Sequence, residues 1–260
     1  MLLANMTFQQ FLQNPTGPYS SFFGKRENIK RDLEERFYKL LQSARNKDFK
    51  HDIYRDGNDY YFAFKIPSEK YNKIEYDVVI RLYPKETAVI SESTLLNYNI
   101  QFFSNSPAFV YTYAYVSNKD KMLIKFLSGK LGSKALNDPP KVRNPIEIYG
   151  FEKSIYFSLL YIKHNNLHIK SALPVKVKKF NKSSIINNCK SSDTIMKEYD
   201  NEKMKEKLKK ENEKRAEKHD KVLAKNNIIR DRNTSKSHVI KPKASTAPTK
   251  NKVIKPRKKK

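Results

Sequence analysis

The chain is 260 residues long, with 53 Lys and Arg against 27 Asp and Glu, a net charge of +26, and a single cysteine, Cys189. That length allows one medium domain with appendages. One cysteine excludes an internal disulfide framework and a cysteine-ligated metal cluster, and the most apolar internal run, SIYFSLLYI at 154–162, is too short to span a bilayer.

The start, MLLANMTFQQFLQN, lacks the basic segment and long apolar run of a signal peptide. The expectation is a soluble protein of a reducing compartment, in the cytoplasm or in a particle assembled there. Phe8, Phe11 and Leu12 have helical spacing and predict a short helical arm within residues 1–25. In RENIKRDLEERFYKLLQSARNK (26–47), Ile29, Leu33, Phe37, Leu40 and Ala44 form one stripe, with early acids and late bases that suit the helix dipole. The spacing predicts a helix docked on a core.

After Lys50 the apolar period drops from about four to two. HDIYRDGNDYYFAFKIP reads as a hairpin turning at Asp56-Gly57-Asn58-Asp59. In IEYDVVIRLY, Ile74, Tyr76, Val78, Ile80 and Leu82 alternate with Glu75, Asp77 and Arg81, a strand with one buried face. Further strands are expected at 87–91, 98–103 and 109–116. Helices are expected again at 120–131, stopping at Gly132, and within FEKSIYFSLLYIKHNN, followed by an unstructured stretch from about Leu173. Helices, then strands, then helices argue for an α+β fold, with an antiparallel sheet of five to six strands covered on one face.

Charge and aromaticity separate along the chain. Residues 1–180 hold 28 basic and 17 acidic side chains and residues 181–260 hold 25 and 10, whereas of 31 Phe and Tyr only Tyr199 lies beyond Phe180. A segment so short of apolar surface cannot offset the entropy of ordering by itself. The expected division is an arm at 1–25, a globular domain at 26–172, a linker at 173–193, a charged solvated helix at 194–226 and a disordered polybasic tail at 227–260. The charged segment offers the i, i+4 pairs Glu206–Lys210, Glu211–Arg215 and Glu217–Lys221. Met204 and Leu208 are too isolated for a coiled-coil seam.

Lys outnumbers Arg 42 to 11, a bias that AT-rich coding produces by itself, so clustering is the better signal. From Asp231 onward there are 11 bases and one acid, and VIKPK at 239–243 returns as VIKPR at 253–257. The nucleic-acid-binding candidates are Lys241, Lys243, Lys250, Lys252, Lys255, Arg257, Lys258, Lys259 and Lys260. Lysines on a flexible chain neutralise phosphates without reading base edges. KPRKKK also resembles a nuclear-import patch, relevant in a eukaryotic host.

Catalytic patterns are weak. Phe109, Tyr111, Tyr113 and Tyr115 would share one strand face, as core or as a base-stacking surface. His164 and His168 are four apart, which is two ligands rather than a site. Asp77, Glu86 and Glu92 with Lys85 do not fit a carboxylate-x-Lys nuclease strand, and GxxxxGK[ST], GxGxxG and GxSxG are missing. The expectation is therefore a protein that is not an enzyme and uses no cofactor or metal. It would be a structural or assembly factor, such as a bacteriophage head, neck or tail component, with nucleic acid and other proteins as partners and no membrane. The alternatives are a sequence-nonspecific nucleic-acid-binding or replication accessory protein and, third, an enzyme acting on nucleic acid.

Overall fold

The computed structural model describes residues 6–13, 29–43, 49–71, 73–85, 93–140, 152–174 and 177–236. It falls into two units, Met1–Met204 and Lys205–Lys260. The first is an α+β unit on a five-stranded sheet in the order β4-β3-β2-β1-β5. Strands β1 (Lys50–Asp56), β2 (Asp59–Pro67), β3 (Glu75–Tyr83) and β4 (Asn99–Ser104) form an antiparallel meander. Gly57, at φ 57°, takes the left-handed conformation that the two-residue turn between β1 and β2 needs.

One sheet face is built from Phe62, Phe64 and Ile66 of β2, Val78, Ile80 and Leu82 of β3, and Ile100 and Phe102 of β4, all buried. Helix α6 (Lys153–His164) packs under this face, with Ile155, Tyr156, Phe157, Leu159 and Ile162 buried. Helix α2 (Ile29–Ser43) lies on α6 through Phe37, whose ring is 6.0 Å from Phe157 and 6.0 Å from Phe49. Helix α1 (Phe8–Gln13) closes the far end, where Phe11 meets Phe102 edge-on at 6.3 Å and the Tyr156 hydroxyl donates to the Leu12 carbonyl at 3.3 Å. The two N-terminal helices, the hairpin and the Ile74–Leu82 alternation match the sequence reading.

The sheet is mixed rather than antiparallel, and this corrects the expected fold class. Strand β5 (Lys178–Lys179) runs parallel to β1, pairing Tyr54 with Lys178 and Arg55 with Lys179. The expected linker at 173–193 thus carries a strand and helix α7 (Lys182–Asn188), and together with a 3-10 turn (Lys125–Lys130) they cover the second sheet face. Tyr61 stacks on Phe180 at 4.5 Å and meets Phe126 at 6.0 Å, while Ile185 and Cys189 are buried. Low aromatic density concealed this segment, because one Phe and one Ile suffice when a sheet already offers Tyr61, Ala63, Val79 and Phe103.

Two further expectations fail. The strand at 109–116 is instead a pair of short helices, α3 (Pro107–Thr112) and α4 (Ala114–Lys119). Ser106 caps α3 by accepting from Phe109 N at 3.2 Å, and Pro107 sits at its first turn. A Ser-Pro start favours a helix over a period-two pattern of tyrosines. The helix at 120–131 is instead a bridge followed by the 3-10 turn. Phe102 N donates to Met122 O at 2.9 Å and Ile124 N to Phe102 O at 3.1 Å, so this segment satisfies the outer edge of β4. Gly132, at φ 79°, ends it as expected before α5 (Ser133–Asn137). The strand expected at 87–91 lies outside the described residues.

Helix α8 (Ser192–Lys236) contains the expected charged helix and extends ten residues past 226, through 227–236, because no proline interrupts the chain before Pro242. Its first turns belong to the α+β unit. Ile195 is fully buried with Tyr71, Ile74 and Tyr76, and Tyr199 meets Tyr71 at 4.9 Å. No helix among the described residues is long and apolar enough to cross a membrane.

Candidate functional site

The two sequence-singled histidines are not brought together. His164 is the last residue of α6 and packs edge-on against Phe37 at 6.3 Å and Tyr38 at 5.9 Å. The chain leaves the helix at Asn165, and Asn166 takes φ 55°, so His168 is no longer one turn along the same face. Among the described residues no group of three His, Cys, Asp or Glu is placed to hold a metal ion.

Asp77, the central carboxylate of the nuclease reading, is a structural knot. One oxygen accepts from Asn105 Nδ2 at 2.8 Å and from Lys190 N at 2.7 Å, and the other accepts from Lys65 Nζ. Lys65 also donates to Asn188 O at 2.7 Å, and Asp77 N donates to Asn105 Oδ1 at 2.8 Å. With three hydrogen bonds accepted and a side chain only 3% exposed, this carboxylate is committed to holding the fold. Its task is to tie β2, β3 and the end of β4 to the turn that launches α8. Glu86 and Glu92 lie outside the described residues.

Cys189 sits beside this knot, and burial, reinforced by the Asp77 charge, pushes its thiol up to about 12. It stays a thiol at neutral pH and is a poor nucleophile. Glu152 caps α6 by accepting from Ser154 N at 2.9 Å, and burial pushes its carboxyl above the usual range. Its carboxyl is buried and committed to the start of α6.

The aromatic residues expected on one strand face diverge on α3 and α4. Phe109 is fully buried and Tyr113 and Tyr115 are partly buried, but Tyr111 is 51% exposed. Tyr111 and Tyr115 line an open cleft of about 900 Å³, with Leu131, Lys134, Asp138 and Asp193 on its walls. Of the two roles expected for this face, core does not account for Tyr111 within this chain. The mixed charge of the walls gives the cleft no strong preference for an anion.

The second unit offers chemistry of a different kind. Over residues 205–218 of α8 every side chain except Glu206 is exposed. Lys210 donates to Glu206 at 2.7 Å, and Lys209 approaches Glu213 at 3.9 Å. The nine tail candidates, Lys241 through Lys260, lie outside the described residues. Compared with known protein families, with characterised proteins and with solved structures, the chain matches none.

Proposed function

We propose that the chain is a non-catalytic assembly protein that holds nucleic acid electrostatically through its C-terminal region, with a virion, such as that of a bacteriophage, as its setting. One observation carries this reading. Residues 205–260 contain 21 bases and 6 acids, a net of +15, and over 205–218 the chain is a helix whose charged side chains, Glu206 apart, are exposed. A rod and tail of this kind neutralise phosphates and release counterions without selecting a sequence. Within the α+β unit, the Asp77 knot and the burial of Ile195 fix where helix α8 begins.

The test is deletion of residues 237–260, which removes nine bases and no acid. If six to eight of those charges engage, the log–log salt slope of duplex binding becomes shallower by about 5 to 7. The unfolding temperature of the α+β unit should not move. A truncated protein that binds duplex as tightly, with the same salt dependence, overturns the reading. Purification of the protein with particles rather than with free nucleic acid would support the virion setting.

The exposure of Tyr111 favours a second reading, a nucleic-acid accessory protein that also stacks a base. Quenching of tyrosine fluorescence by a single-stranded oligonucleotide, lost in Tyr111→Ala, would support it. Quenching that is unchanged in that variant would remove it.

A further inference from the structure

Helix α8 turns by about 100° per residue. With Lys207 as origin, Lys210, Lys214, Lys218 and Lys221 fall about 60° and 20° to one side, 20° to the other, and 40° back. The five lysines occupy an arc of about 80°, and no other residue of 205–221 falls inside it. All five are exposed. They extend over about 21 Å of helix axis, with successive charges about 4.5 to 6 Å apart.

The rest of the circumference is arranged differently. Glu206, Glu213 and Glu217 form an acidic flank about 80° to 120° to one side of the origin, and Glu211 lies about 40° to the other. The arc opposite the lysines holds Lys205, Lys209, Asn212 and Ala216. Lys210 and Lys221 have i, i+4 partners in Glu206 and Glu217, but the five lysines also stand about one turn apart along one line, where like charges repel. The repulsion is relieved when a row of anions lies along the stripe.

We infer that this lysine stripe is a rigid docking rail for the phosphate backbone of double-stranded nucleic acid, a contact distinct from the tail. The inference rests on the proposed nucleic-acid function and deepens it. Duplex is the better fit than single strand, because 205–221 carries no aromatic residue on which bases could stack. A lipid surface is a poor fit, because the arc opposite the stripe offers no apolar face to bury.

The test uses the full chain and two triple variants that remove equal charge. Lys207→Gln, Lys214→Gln and Lys218→Gln together strip the rail; Lys205→Gln, Lys209→Gln and Arg215→Gln together strip other faces. Binding to a short duplex is titrated against salt, with helix content followed by circular dichroism. The rail variant should bind about tenfold more weakly, with a slope shallower by about 2.7, and the off-rail variant should lose less than about half of that slope change. Arg at the three rail positions should restore binding, which separates charge placement from any loss of helix. Equal losses in the two variants overturn the rail and leave the proposed function standing. Wild-type protein without salt-sensitive duplex binding overturns both. A rail variant that loses binding to phosphatidylserine vesicles but keeps duplex binding overturns the rail in favour of a membrane.

Discussion

Lys65 and Lys210 each meet a carboxylate, in opposite physical regimes. The Asp77 side chain that receives Lys65 is 3% exposed, whereas Lys210 and Glu206 are 65% and 38% exposed. At Asp77, charge is a fastener: the carboxylate is buried, accepts three hydrogen bonds and is costly to break. On α8, charge is a surface, with each pair worth little and the arrangement around the helix carrying the meaning. Mutations in the two regions should therefore separate stability from binding, and each of the following tests that separation.

The largest effect is expected from Asp77→Ala, which leaves Lys65, Asn105 and the Lys190 amide without their shared acceptor. Breaking a buried pair this way costs about 3 to 5 kcal/mol, read as a lower midpoint in chemical denaturation. Duplex binding by the fraction still folded should be unchanged. Loss of binding without loss of stability would erase the distinction between fastener and surface.

Phe180→Ala should cost about 2 kcal/mol, since it removes the stack on Tyr61 from a partly buried position. A neutral result would show that the second sheet face does not need the segment 177–190.

Two pH effects follow from burial. The Cys189 thiol is raised in the folded state, so the stability it contributes is full below the ordinary thiol range and is lost as pH rises from about 9 towards about 12. Cys189→Ala should flatten stability over that alkaline window, and the native thiol should react with a maleimide only on unfolding. The Glu152 carboxyl is also raised, so its contribution is present at acid pH and falls as pH rises above the ordinary carboxylate range. Glu152→Gln should therefore compare more favourably with wild type at pH 8 than at pH 4.5 in thermal melts.

The smallest effect is expected from Glu206→Ala, about 0.3 to 0.5 kcal/mol, read as a slight loss of helix signal. An effect as large as that of Asp77→Ala would mean that α8 is not a solvated helix.

The sequence was most legible where one physical signal acted alone. The stripe from Ile29 through Leu40 and the alternation from Ile74 to Leu82 have no competitor, and α2 and β3 form there. It was least legible where two signals conflicted. Tyr111, Tyr113 and Tyr115 alternate like a strand, yet Ser106 and Pro107 start a helix just before them. Segment 177–190 was hidden for another reason: what it buries, from Tyr61 to Phe103, is supplied by strands far earlier in the chain. The Asp77 knot joins positions up to 123 apart, which no local pattern reports. The lysine rail was present in the residue spacing all along, but counting pairs along the chain does not reveal it; placing residues around the helix does.

Strand β5 has one more consequence. It pairs with β1 across 124 positions, from Tyr54 to Lys178, while β1 to β4 are joined by nearest-neighbour pairings. A chain made from its N-terminus therefore completes the meander long before the piece that covers its outer edge and second face exists. Until then the edge of β1 and the Tyr61 surface are open to any passing strand. Closing so long a loop is slow compared with forming the hairpin, so Lys178, Phe180 and Ile185 are expected to join after the meander has formed.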